Sequence, residues 1–349
     1  MGAYEEQMAR ALRPVAPPRV VEGVYTDDQH ARLLGVVKEH GPWPTITSHH
    51  FDTVEELVAT STGVVPEGLA LTLDDIATAH FRGFLAQNSV CYYPEIFDCF
   101  SNPVFVELVK DYWGAQYAKP QMMLFNLCGA HHSGLNAHLD GATFRGVRYE
   151  NAPVWLTNTM AKSGLFEDHL VKKGQVITWW YRGEHGTFTY WPDGPRGAPQ
   201  VLAHPLWNKG VVVENERMFH RGDPVGRPEA RDVPGLKHRS LIEHDADADA
   251  WRVTTDGVVI RTYRPEEMRL LVHWSAEIYA DLDELRTVMD HTDDLTLDEV
   301  VGRLLKDMRE KGTPVSEPSD PLHDDDFVRA LIATYSIAPT TDWLEAARP

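Results

Sequence analysis

"GQVITWWYRGEHGTFTYW", Gly174 to Trp191, is the stretch whose reading decides the fold. Two short runs rich in β-branched and aromatic residues are separated by turn-prone residues, and such runs read as strands. The same texture extends from Lys119 to Tyr279, through "QMMLFNLC", "APVWLTNTM", "PQVLAHP", "GVVVENERMFH", "KHRSLIEH", "WRVTT", "VVIRTY" and "MRLLVHWSAEIY". About ten short strands at this spacing predict an antiparallel sandwich or barrel. Asp256-Gly257, between two of the runs, predicts a hairpin turn.

Helical signals flank this region. The first twenty residues, with "PVAPPR", read as an extended, loosely held arm. Thr26 can cap a helix through "DDQHARLLGVVKEH", with Leu33, Val36 and Val37 on one face. "LTLDDIATAHFRGFLA" and "NPVFVELVKDYWG" read as two more helices, the second closing at Gly114. After Ala280, Thr296 and Glu299 form a capping-box pattern, and Asp324, Asp325 and Asp326 favour a helix start. There is no internal repeat. The order predicts one domain over 1–349: an N-terminal arm and helices (1–118), a β core (119–280) and C-terminal helices (281–349).

With 349 residues, 43% of them apolar, the chain can bury a sizeable core. No apolar run is long enough to span a membrane, and the N-terminus lacks the apolar middle of a secretory signal. Glu6 breaks the myristoylation pattern that Met1-Gly2 begins. Cys91, Cys99 and Cys128 are too few for a disulfide framework and wrongly spaced for a metal knuckle. The expectation is a cytoplasmic protein without a membrane partner. A net charge of −19 repels phosphate backbones, which argues against nucleic acid. Its plain reading is solubility; the other is attraction for a cationic substrate or partner.

Chemistry centres on "GLNAHLDGATFRG", Gly134 to Gly146. His138 and Asp140 stand two apart, so on a strand they share a face and can chelate one ion. A further histidine from another strand would complete a two-histidine, one-carboxylate face, on which Fe(II) keeps open positions. The pair alone is weak, because about two or three such pairs are expected by chance in a chain of this composition. Three others occur: His50/Asp52, His291/Asp293 and His323/Asp325. They precede or follow the β region and read as solvated loop or cap pairs. Only His138/Asp140 follows an apolar strand inside it, with Gly141 behind. A matching segment is "NKGVVVENERMFHRGDPVG", which brings His220 to the start of a Gly/Pro loop.

"HLDG" followed much later by "GVVVENERMFHRGDP" resembles the Fe(II)/2-oxoglutarate dioxygenase superfamily, in particular its phytanoyl-CoA dioxygenase-like branch. The likeness spans roughly Lys119 to Tyr279 in pattern and is specific at those two segments. It implies a double-stranded β-helix, a cupin-like jelly roll, with His138, Asp140 and His220 as catalytic iron ligands. It implies an oxidoreductase using Fe(II), 2-oxoglutarate and O2 on a small-molecule substrate. Hydroxylation is the default outcome, with desaturation or rearrangement as others. Family halogenases lack the carboxylate, so Asp140 argues against halogenation. The plain alternative makes the histidines core or turn residues and Asp140 a turn former.

The same resemblance implies a basic residue for the far carboxylate of 2-oxoglutarate, a role suited to the guanidinium fork. Arg231 has the commonest family spacing from His220 but lies in a loop. Arg239 opens "RSLIEH", beside solvated neighbours. Arg269 opens "RLLVHWSAEIY", where Leu270, Val272, Trp274 and Ala276 form a core face and Arg269, Leu271, His273 and Ser275 a polar one. Arg269 is preferred, with Arg239 second, and this choice makes 224–267 an insertion. A local salt bridge is the plain alternative. Asn126 on its strand, and Thr157, sharing a face with Trp155 and Thr159 of "APVWLTNTM", are candidates for orienting the co-substrate. Of the aromatics Trp155, Trp179, Trp180, Tyr181, Phe188, Tyr190 and Trp191, most would pack and a few line a cavity. Two rival classes use the same residues: a zinc or manganese cupin-type hydrolase or isomerase, and a non-catalytic jelly-roll binding protein.

Overall fold

The computed structural model describes residues 6, 8, 11–61, 71–132, 136–335, 337 and 339. Its strands are β1 Arg19–Glu22, β2 Trp43–Pro44, β3 His80–Gln87, β4 Val90–Cys91, β5 Tyr117–Cys128, β6 Lys173–Tyr181 and β7 Phe188–Tyr190. Then follow β8 Gln200–Leu202, β9 Leu206–Val213, β10 His220–Gly222, β11 Leu241–Asp245, β12 Ala250–Thr255, β13 Val258–Tyr263 and β14 Arg269–Tyr279. The opening stretch supplies β6 and β7, and the chain reverses between them through His185 and Gly186 at φ 60° and 74°.

One antiparallel sheet has the order β1-β9-β6-β14-β5-β3-β4 and a second the order β10-β7-β8. The backbone around His131 and His138 extends the second sheet. His138 and His220 exchange backbone hydrogen bonds of 2.9 and 3.0 Å, and His131 and Val225 bonds of 3.1 and 3.0 Å. With that segment taken as the second of eight core strands, the sheets read 6-3-8-1 and 2-7-4-5. This wrapping is a double-stranded β-helix, so the predicted β core with flanking helices is observed. Between β10 and β14, the strands β11 to β13 form their own sheet, in the order β13-β12-β11-β2. Its hairpin turns at Asp256-Gly257, with φ 50° and 79°.

Helices Asp27–Glu39 and Pro103–Trp113 cover the outer face of the large sheet, packing Val36, Phe105 and Val109 against the face that carries Val272, Trp274 and Ala276. Thr26 and Gln29 form a capping box on the first, and Gly114 at φ 62° closes the second. At the other side Val154–Ser163 packs with Leu297–Glu310 and Asp325–Thr334, burying Trp155, Leu304 and Phe327. Thr296 with Glu299 and Asp324 cap these last two helices as expected. No helix among the described residues is long and apolar enough to cross a membrane.

Three expectations are corrected. "LTLDDIATAHFRGFLA" is a turn followed by β3, not a helix. Gly83 lets β3 lie tight against its neighbours, since a Cβ there would stand 2.5 Å from the rings of Phe125 and Trp43. "APVWLTNTM" is not a strand but the start of helix Val154–Ser163, entered from Pro153 and closed by Gly164 at φ 67°. Trp155, Leu156, Thr157, Asn158, Thr159 and Met160 are all buried, so no polar face marks its helical period. The described part of the N-terminal arm is not loosely held: Met8, Ala11 and Leu12 are buried, and β1 pairs with β9, while residues 1–5, 7, 9 and 10 lie outside the described residues.

Candidate metal centre

The inner face of the large sheet is built in rows. Register places His80, Cys128 and Arg269 side by side on β3, β5 and β14. The next row is Arg82, Asn126, Leu271 and Trp179, and the next Phe84, Leu124, His273 and Ile177. The alternation expected for β14 is therefore observed, with Arg269, Leu271 and His273 facing the cavity and Val272 and Trp274 the core.

Opposite this face, His138, Asp140 and His220 converge, their ligand atoms all within 4.8 Å of one another. The pairing of His138 with His220 brings two distant segments together, and Asp140 N–H donates to the Asn215 carbonyl at 3.0 Å. His138 Nδ1 is 2.8 Å from the Asn136 carbonyl and His220 Nδ1 is 3.0 Å from that of Met218. A carbonyl only accepts, so each Nδ1 carries a proton, and Nε2 is the nitrogen left to meet a metal. Burial and the neighbouring His220 lower His138 to about 3, which keeps it neutral. Gln175 Nε2 donates to Asp140 Oδ2 and to Glu216 Oε1, both at 3.0 Å, while its Oε1 accepts from Asn215 N–H. Asp140 stays well below the usual carboxylate range: burial opposes its charge, and the contact with His220, 3.5 Å from its Oδ1, is the largest effect favouring it.

Two cavities meet at this centre, and His138, Asp140, Arg82 and His273 line both. The first extends along Trp179 and Phe188 to Arg269, which is 3% exposed. Arg269 Nε and Nη2 are buried without a hydrogen-bond partner, and no carboxylate among the described residues pairs with it. A buried guanidinium so placed calls for an anion. The second cavity is bounded by Tyr149, Val154, Lys173 and Glu216. Burial raises Glu216 to about 7.

Asn126 lines the first cavity and accepts from Arg82 Nε at 2.8 Å. Thr157 lies on a helix, donates to the Val154 carbonyl at 3.1 Å and is not among the residues lining either cavity. Arg239 is exposed in a turn, and Arg231 donates to the Gly226 carbonyl at 2.9 Å, so neither reaches the triad's cavity. Of the other pairs, His291 and His323 are exposed and bond Asp294 and Asp320. His50 departs from the solvated-loop expectation: its Nε2 meets Arg82 Nη1 at 2.7 Å in the cavity wall. Sequence reasoning also missed Arg82, Gln175, Glu216, His80 and His131. The polar face of β14 was the one signal, and it pointed to His273.

No family model and no curated protein matches the sequence. Among solved structures, a 2OG-Fe(II) oxygenase family oxidoreductase from Burkholderia pseudomallei aligns at TM-score 0.41 and 10% identity, over 80% of this chain and 94% of that one. A Pseudomonas putida prolyl-4-hydroxylase aligns at 0.34 and 9%, over 79% and 97%. HygX from Streptomyces hygroscopicus, with nickel, 2-oxoglutarate and hygromycin B bound, aligns at 0.31 and 10%, over 75% and 82%.

Proposed function

We propose that this chain is a non-haem Fe(II)- and 2-oxoglutarate-dependent oxygenase of the phytanoyl-CoA dioxygenase-like branch, acting as one domain on a small-molecule metabolite in the cytoplasm. The observation that carries the reading is the Arg269 guanidinium, buried without a carboxylate partner among the described residues in the cavity that the His138–Asp140–His220 triad also lines. The donor set fits Fe(II): two imidazole nitrogens and a carboxylate on one face leave the other open. When bound, Fe(II) with 2-oxoglutarate and O2 supplies the oxidising chemistry.

The chain's own residues have simpler tasks. Arg269 takes the far carboxylate of the co-substrate in a two-pronged grip. Asn126, fixed by Arg82, orients the near end. Trp179 and Phe188 wall this cavity and keep water out. Gln175 fixes the Asp140 carboxylate, and the tethered Nδ1 atoms fix both rings. The second cavity opens on the same centre and receives the substrate. Hydroxylation is the expected outcome, and the presence of Asp140 argues against halogenation. A zinc hydrolase or a plain binding protein does not by itself call for a buried guanidinium facing the triad's cavity.

The test is direct. Protein loaded with Fe(II) under anaerobic conditions should develop a visible absorption band on addition of 2-oxoglutarate, and release succinate once air is admitted. An iron-loaded chain that shows neither refutes the reading.

A further inference from the structure

We propose that His80, Cys128 and His131 form a second metal site, one for a borderline-soft divalent ion of the zinc class. Their ligand atoms lie within 4.8 Å of one another, as those of the triad do. Local structure brings them there. His80 and Cys128 are register partners on β3 and β5, so their side chains stand on one face. His131 follows three residues after Cys128 and returns to the same cavity, where its ring lies 5.5 Å from that of His80.

The two histidines are prepared differently. His131 Nδ1 is bonded to the Gly129 carbonyl at 2.8 Å, two residues back, so Nε2 keeps its lone pair. This is the device that presents His138 and His220. Both ring nitrogens of His80 are buried with no hydrogen-bond partner, an arrangement that asks for one. Cys128 is fully buried and free. A thiolate with two neutral imidazoles supplies three of the four ligands of a tetrahedral zinc-type centre and leaves one position open. Burial raises the Cys128 thiol to about 11, with the adjacent Arg269 guanidinium pulling the other way, so the incoming metal ion itself displaces the thiol proton. The two sites differ in softness: the triad offers nitrogen and oxygen, this one nitrogen and sulfur, so they sort ions rather than compete for one. The proposal does not depend on the oxygenase reading.

Cobalt(II) tests it. The metal-free full chain, titrated anaerobically with Co(II), should bind a second equivalent with a near-ultraviolet thiolate-to-cobalt charge-transfer band, which nitrogen and carboxylate ligands do not give. Cys128→Ser and His131→Phe should each lose the band and that equivalent while keeping the first. His138→Ala should lose the other equivalent and keep the band. Absence of the band in the unaltered protein overturns the proposal, whatever the variants do. So does its survival in folded Cys128→Ser, which would place it on Cys91 or Cys99.

Discussion

Arg269→Met separates binding from stability with opposite signs. In the ligand-free chain the guanidinium is buried, lowered in pKa by that burial, and unmatched by any carboxylate among the described residues. Methionine replaces the apolar stem and removes the charge. Each charge-assisted hydrogen bond to a carboxylate is worth roughly 1.5–3 kcal/mol. Losing a two-pronged grip should therefore weaken 2-oxoglutarate binding by about 3–5 kcal/mol, roughly a hundred- to a few-thousand-fold. Without 2-oxoglutarate the same change removes a buried charge that no carboxylate among the described residues partners, and the variant should be about 1–3 kcal/mol more stable. Calorimetric titration of 2-oxoglutarate into metal-loaded protein measures the first effect, and urea unfolding of the ligand-free protein the second. Metal at the triad should be unchanged, because Arg269 is not among its residues. Binding within about threefold of the unaltered protein would remove Arg269 from the co-substrate seat. A ligand-free variant destabilised by several kcal/mol would show that the guanidinium has a structural partner.

Three further changes test other parts of the structure. Gln175→Leu strips a hydrogen bond from Asp140 and should lower metal affinity about 10–100-fold in a competition titration, with the fold intact by circular dichroism. Gly83→Ala drives a methyl group to 2.5 Å from the Phe125 and Trp43 rings and should cost at least about 1–3 kcal/mol in urea unfolding; a neutral result would mean that β3 can shift. Glu214 is 1% exposed, accepts from Val15 N–H at 2.7 Å, and is pushed up by burial to about 8 from an ordinary 4.5. The folded chain then keeps a proton that the unfolded chain releases, so stability falls as pH rises between these values, by at most about 5 kcal/mol. Glu214→Gln should remove that slope, and an equal pH dependence in both proteins would show that the folded carboxyl is already ionised.

What could be read from the sequence follows from how one-sided each element is. Asp27–Glu39 and Leu297–Glu310 each bury one stripe and carry their capping boxes in plain view. The Asp256-Gly257 turn needs positive φ at both positions and used residues that tolerate it. Val154–Ser163 was misread because it is enclosed nearly all round, leaving no polar stripe. β3 was misread because Phe81, Phe84 and Leu85 repeat at helical spacing, while the packing that makes it a strand lies in Phe125 and Trp43, far away in the chain. In the candidate site, His138, Asp140 and His220 stood out because two short segments carry a pattern, and Arg269 because its strand alternates. His50, Arg82 and His80 come from the region before the jelly roll. Only the pairing of β3 with β5 brings His80 and Arg82 inward, while His50 meets Arg82 from helix Ile46–His50, and nothing in their own neighbourhoods announces it.

The margins of the large sheet bear on how the chain keeps to itself. A sheet of this size must end somewhere, and an unpaired strand offers its free backbone groups to any other strand it meets. Here one end is the two-residue β4 and the other the four-residue β1, mostly exposed and laid over the Lys209–Val212 stretch of β9. A shortened chain lacking residues up to Glu22 would bare the backbone of Lys209 to Val212, at the buried valines Val211 and Val212. The second strand to reach it would come from another copy. Anyone trimming this protein for crystals or for fusion should count β1 as a cover strip against self-association and leave it in place.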